Sequence, residues 1–249
     1  MTPQSNIGGQ PSGDAQPSNE LDEILYHITH DVRAAIRAIR TLPVWLREDL
    51  EADGVALGDS ALETLRLLQV QTDRADKMMT DLRTYSRVGR IRDEISTVPL
   101  KACIEEVADH IKLPQGFHLA LDLNVHAIKA PANECFLLFG ELMSNAVKHH
   151  DHSVGTISIA STVTRGQVCI TVQDDGPGIE QMLRERVFGL MTTLRPRDEC
   201  EGSGMGLSIA RKIVTSLGGT IQITDTPSAR GTRIEIRLPS TCATLSTIR

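Results

Sequence analysis

Two kinds of hydrophobic periodicity predict an α+β chain. A helical hairpin over residues 20–92 pairs with a second copy into a dimeric antiparallel four-helix bundle, and an α/β sandwich follows over residues 93–240. Three observations carry this. Two apolar runs at helical spacing flank a glycine-bearing loop, alternating strand patterns follow them, and the last helix both opens and closes on glycines.

The elements follow in order. Residues 1–19 are rich in Pro, Gly, Ser, Asn and Gln. They bury too little apolar surface to offset their ordering entropy, so a disordered tail is expected, with no room before it for a sensor domain. Leu21, Leu25, Ile28, Val32, Ala35, Ile39 and Leu42 then recur at spacings of four and three. Ala61, Leu65, Leu68, Thr72, Ala75, Met79, Leu82 and Ser86 repeat that spacing. Between the runs, Glu51–Ser60 holds Gly54 and Gly58 and ends in a good N-cap residue, Ser60. Two such seams make a hairpin whose stripe needs partners, and dimerisation through residues 20–90 supplies them.

From Leu100 the pattern changes. A helix over Leu100–Ile111 precedes a strand from His118, and a helix is expected over Ala132–Lys148. Ile157/Ile159 and Val168/Ile170/Val172 alternate around Thr164-Arg165-Gly166, a β-hairpin signature. A helix from Met205 stops at Gly218-Gly219, and a second hairpin turns around Ala229-Arg-Gly231. The result is a sheet with helices on one face, and residues 241–249 are left as a C-terminal tail.

Composition excludes several function classes. The net charge of −6 gives no basic stripe for nucleic acid or an anionic membrane. Five scattered cysteines without C-x-x-C argue against a disulfide framework or a zinc site and favour a reducing cytoplasm. No signal peptide and no apolar run of roughly 18 residues is present, so no membrane span is expected.

Three boxes carry the chemistry. In Glu141-Leu-Met-Ser-Asn145-Ala-Val-Lys148, the residues Glu141, Asn145 and Lys148 share one helix face while Phe139, Leu142 and Ala146 lie opposite. An amide oxygen at Asn145 suits Mg²⁺ and the Lys148 ammonium suits phosphate, although a solvated polar face would look the same. Asp174 ends a strand and is followed by Gly176 and Gly178, so its carboxylate can accept from the amine of adenine while backbone approaches the base. Gly202, Gly204 and Gly206 open a helix, where N–H groups can converge on phosphate. No Gly-Lys-Ser/Thr follows, so this is not a P-loop. Upstream, His30 lies two residues past Ile28 and off the seam. Its imidazole is largely neutral above a pKa of about 6.5 and is a competent nucleophile, and neighbouring Asp31 can take the second ring proton.

In this order, these stretches resemble the transmitter core of two-component sensor histidine kinases. His30-Asp31-Val-Arg33-Ala-Ala-Ile-Arg-Ala-Ile39 and Asp73–Arg90 resemble phytochrome-type kinases most. The resemblance implies a phosphoacceptor hairpin and an ATP-binding sandwich of the GHKL (Bergerat) type. It implies autophosphorylation of His30, with Asp31 and Glu141 as further catalytic residues, and Mg²⁺ on Asn145. For ATP it implies Asn145, Lys148, His149, Asp174, Gly176, Gly178, Ile179, Phe188, Gly202, Ser203, Gly204, Met205, Gly206, Leu207 and Thr232. The polar segment with Arg195 and Arg197 matches the family's ATP lid, anchored by Phe188. The partners implied are a response regulator receiver domain and a separate sensor protein. Two positions depart from the pattern. Ala35 replaces the proline that usually kinks the first helix. Ala34 replaces the threonine or asparagine that positions water for dephosphorylation.

Two other readings remain at this stage. One is a non-catalytic dimeric phosphotransfer adaptor with a degenerate ATP domain, which intact Asn145, Asp174 and the last glycine box disfavour. The other is a serine-directed kinase of the same ATPase superfamily, which would lack the hairpin.

Overall fold

The computed structural model describes residues 17–90, 94–194, 202–228 and 230–244, with side chains described from residue 32 to residue 242. Helix α1 spans Pro17–Ala52 and α2 spans Asp59–Arg87. The expected tail is therefore shorter at its inner end. Pro17 can open a helix because its missing N–H would have no intrahelical partner there. The connection also caps differently from the expectation. Gly58, in extended conformation, is the N-cap, and Asp59 in the first turn places a carboxylate at the positive end. Gly54, at φ +70, makes the turn that reverses the chain. Beyond its opening Pro17, α1 carries Pro43 inside the helix.

Ion pairs fix the hairpin register. Arg33 Nε lies 3.0 Å from Asp76 Oδ1, and Arg40 lies 3.8 Å from both Asp73 and Asp76. Asp76 of α2 is thus held between Arg33 and Arg40 of α1. Much of the seam is open in the single chain, and Val32, Ile39, Leu42 and Leu68 are exposed.

The second unit is built on a five-stranded mixed sheet ordered β2-β4-β5-β7-β6, comprising β2 (Phe117–Leu123), β4 (Gly155–Thr164), β5 (Gln167–Asp174), β6 (Thr220–Thr224) and β7 (Arg233–Leu238). Only β2 and β4 run parallel. The β4–β5 turn is Arg165-Gly166, both at positive φ, as a two-residue hairpin demands. Helices α3 (Leu100–His110), α4 (Ala132–Lys148) and α5 (Gly206–Ser216) pack on the sheet. Their apolar faces, including Ile104, Phe139, Leu142, Ile209 and Ile213, bury against Ile157, Ile170 and Ile236 in one core. The fold expected for this half, helices over an α/β sheet, is the one observed.

Residues 241–244 depart from the expected tail. A 3-10 turn at Ser240–Cys242 leads into β8 (Ala243–Thr244), which pairs with β3 (Ala127–Pro131), itself paired with β1 (Ile95–Pro99). Such short strands give no period-2 signal of their own.

The two units touch. Leu82, Ser86 and Val88 at the end of α2 are buried, and the Lys212 ammonium of α5 lies 4.3 Å from the Tyr85 ring centre. The buried Glu134 carboxylate accepts the Gly89 N–H at 3.0 Å and the Ser216 hydroxyl at 3.3 Å. A carboxylate withdrawn from water requires such partners, so the contact is specific to this approach of α2.

Candidate nucleotide site

The site begins with the amphipathic helix α4. Phe139, Leu142 and Ala146 are buried, which turns Glu141, Asn145 and Lys148 toward a cavity of about 180 Å³. Opposite them the last glycine box leads into α5. A Cβ on Gly206 would lie 2.5 Å from Glu141 Oε2 and 3.3 Å from Asn145 Nδ2, so glycine there lets the helix start close over those polar groups. Gly204, at φ +73, comes close enough to Thr192 that a Cβ would lie 2.7 Å from its carbonyl oxygen. Ser203 is buried, and its hydroxyl accepts the Met205 N–H at 3.2 Å.

The far end of the cavity is set by Asp174. Its Oδ1 accepts the N–H groups of Gly176 (3.0 Å) and Thr232 (2.9 Å), which fix the carboxylate plane. Gly231 passes so close that a Cβ would overlap the Asp174 carbonyl, and one on Gly178 would lie 2.9 Å from the Gly231 carbonyl oxygen. These glycines are required by close backbone packing around a carboxylate. Burial pushes the Asp174 carboxyl above its ordinary value, against the pull of the Thr232 and Gly176 N–H groups. Burial also raises Glu141, helped by the negative charge of Asp81.

A carboxylate at one end, a helix start and lysines at the other, and an amide oxygen between them form a nucleotide site. The donor set fits ATP with Mg²⁺. Asp174 could accept from an adenine amine, the Gly202–Gly206 backbone and Lys148 could meet phosphates, and Asn145 offers a hard oxygen that would suit a cation.

The residues expected from sequence divide as follows. Glu141, Asn145, Lys148, His149, Asp174, Gly178, Ile179, Gly202, Ser203, Gly204, Gly206, Leu207 and Thr232 line the cavity. Gly176, Phe188 and Met205 stand behind it. Gly176 holds Asp174, Phe188 is buried under the Arg211 guanidinium at 4.2 Å, and Met205 is fully buried before α5. The side chains of His30 and Asp31, and the lid residues Arg195 and Arg197, lie outside the described residues. Sequence reasoning missed Lys77 and Asp81 of α2, which also line the cavity, and Thr192, Thr193 and Leu194 on the approach to the lid. The signal for the first two was present as a charged i, i+4 pair beside the seam.

Residues 132–241 match the family described as histidine kinase-, DNA gyrase B-, and HSP90-like ATPase. The chain is 26% identical over 233 residues to the methanogenesis regulatory histidine kinase FilI of Methanothrix harundinacea, covering 92% of this chain and 26% of FilI. Full-length ShkA, solved with AMPPNP, superposes with a TM-score of 0.65 at 19% identity, covering 92% of this chain and 48% of ShkA. The histidine kinase ThkA, solved in complex with the response regulator protein TrrA, gives 0.59 at 21% identity, covering 90% of this chain and 64% of that one. The carboxyl-terminal half is thus a nucleotide-binding ATPase domain of the kinase–gyrase–HSP90 class. With its helical hairpin, the chain is similar over most of its length to the transmitter cores of sensor histidine kinases. It spans about a quarter to a half of the length of the curated relatives it matches. Among the described residues no helix is long and apolar enough to cross a membrane.

Proposed function

We propose that this chain is an ATP-dependent protein histidine kinase that phosphorylates His30 and passes the phosphoryl group to an aspartate of a response regulator. One observation carries the reading. The cavity lined by the three boxes is completed by Lys77 and Asp81 of α2, the helix that packs against the His30-bearing α1. That shared wall supports transfer from the pocket to the hairpin.

In this reading a ring nitrogen of His30 forms a bond to the terminal phosphorus as the bridging P–O bond breaks. ADP leaves with that electron pair, and the ring proton passes to Asp31. Asn145 would hold Mg²⁺, which supplies neutralising charge at the phosphates. Lys148 and the N–H groups before α5 orient the chain of phosphates, and Asp174 orients the base. The open stripe of Val32, Ile39, Leu42 and Leu68 supports a homodimer through the hairpin. The likeness to ThkA, solved with TrrA, supports a receiver domain as the acceptor partner.

The test is incubation with γ-labelled ATP and Mg²⁺, comparing the parent chain with His30→Ala and Asp31→Asn. Labelling should vanish in the first and slow in the second, with ATP binding retained in both. Label that survives in His30→Ala, or that resists acid as phosphoserine does, would overturn the reading.

A further inference from the structure

Asp81 occupies an unusual position for a hairpin residue. Its Oδ2 accepts the Ser203 hydroxyl at 2.5 Å, across the boundary between α2 and the glycine box, and its Oδ1 lies 3.3 Å from Lys77 Nζ. Ser203 is buried, and its oxygen is fixed from behind by the Met205 N–H just before α5. Asp81 therefore brings a carboxylate to the positive end of a helix, with a hydroxyl donor and an ammonium as its partners. Those are the partners a phosphate would take at the same place. The side chain of Asp81 is only 14% exposed, while that of Lys77 is 50% exposed and can swing between partners. The carboxylate is also close enough to Glu141 to bias its charge.

We propose that Asp81 is a built-in phosphate surrogate: it competes with the terminal phosphate of ATP for Ser203 and Lys77, so that the phosphate charge of the bound nucleotide sets whether α2 stays latched to the ATP domain. The inference rests on the nucleotide reading of the cavity and adds a regulatory step to it. A triphosphate brings a concentrated negative charge to the Ser203 end, repels Asp81 and takes over the Lys77 ammonium. A diphosphate reaches less far and leaves Asp81 in place. ATP binding then breaks the Asp81–Ser203 latch, while ADP leaves it in place. The remaining contacts of α2, at Glu134 and Lys212, lie beyond the cavity and act as the hinge side of the latch.

The competition has a signature in affinities. The full chain is titrated calorimetrically with ATP, ADP and adenosine in Mg²⁺, as the parent, Asp81→Asn and Lys77→Met, with a thermal melt of each to verify folding. Asp81→Asn keeps the shape and removes the charge. It should tighten ATP by about tenfold, as expected for a partly screened charge a few ångströms from phosphate, tighten ADP by less than about threefold, and leave adenosine unchanged. Lys77→Met, at an exposed position, should weaken ATP by about tenfold and ADP much less. In hydrogen exchange, ATP but not ADP should speed exchange over residues 77–86 of the parent. An Asp81→Asn chain that binds ATP as the parent does, or more weakly, overturns the latch alone. Equal shifts for ATP and adenosine overturn it as well, by placing the effect on the base or the domain. A parent chain that binds none of the three overturns the nucleotide reading and the latch together.

Discussion

The hairpin and the ATP domain bury their apolar residues in opposite ways. The ATP domain closes on itself, with Phe139, Leu138, Ile104, Ile157, Ile170 and Ile209 almost wholly withdrawn from water inside one chain. The hairpin leaves Val32, Ile39, Leu42, Trp45, Leu46 and Leu68 exposed and buries little of its own stripe except where α2 meets α5. One unit closes its core within a single chain, and the other leaves its stripe for a second copy in the proposed dimer. The cavity at their boundary is lined from both, and Lys77 and Asp81 are the part the hairpin contributes.

The sharpest way to break this contrast is paired truncation. Phe139→Ala opens a cavity in a closed core and should cost about 3–5 kcal/mol in urea unfolding of the ATP domain. Leu42→Ala removes a side chain that is 54% exposed in the single chain. It should change the unfolding of dilute protein by about 0.5 kcal/mol or less, yet raise the concentration at which the chain associates in sedimentation. Equal costs at both sites would mean that the hairpin is not waiting for a partner. Next in size is Asn145→Ala, expected to reduce Mg²⁺-dependent ATP affinity by roughly tenfold to a hundredfold, the range for hydrogen bonds to charged groups, without altering association. Gly204→Ala should follow. It forces a side chain to φ +73 and against the Thr192 carbonyl, so ATP affinity should fall by roughly tenfold while the melting of the hairpin is unchanged.

Legibility divides along the same boundary. The α4 helix, the Arg165-Gly166 turn and the lining role of most box residues could be read from periodicity and glycine placement, because those patterns are local. The small sheet of β1, β3 and β8 could not, since β8 is two residues long and gains its meaning only from pairing with Ala127 and Ile128. The N-cap of α2 was misplaced by two residues because Ser60 fits a cap by type, while Gly58 has the backbone for it. Lys77 and Asp81 were hidden for a different reason. On the sequence they are a solvated i, i+4 pair, and only the docking of α2 on α5 turns them into a pocket wall.

Acidity probes the site without mutation. Burial holds the Asp174 carboxyl above its ordinary value, so the folded state binds its proton more tightly than the unfolded chain. Between the ordinary and the raised value, stability from this group therefore falls as pH rises, and the buried anion costs free energy at neutral pH. Binding runs the other way. The adenine amine needs the ionised acceptor, so ATP affinity should decline on acidification beginning above the ordinary aspartate range. Affinity measured from pH 7 downward should show this in the parent and lose it in Asp174→Asn. An identical pH profile in the variant would move the base away from Asp174.

The smallest expected effect is on the hydrolysis of the phosphorylated regulator, in which water attacks the aspartyl phosphate and inorganic phosphate leaves. The resembling kinases place a threonine or asparagine four residues after the phosphoacceptor histidine to orient water, and here that position is Ala34, exposed on α1. A methyl group can neither donate nor accept a hydrogen bond, and removing one orienting hydrogen bond costs on the order of a hundredfold in rate. Arg33 is a poor substitute, since its guanidinium is drawn to Asp76 at 3.0 Å, toward the interior of the hairpin. The decay of purified phosphorylated regulator, followed with and without this chain and ADP, should therefore barely change. Ala34→Asn should restore an acceleration, because the position faces solvent and the larger side chain needs no repacking. A strong acceleration by the parent chain, undiminished in Asp31→Asn, would show that water is oriented from somewhere else, and the hairpin would then have a second functional group that its sequence does not display.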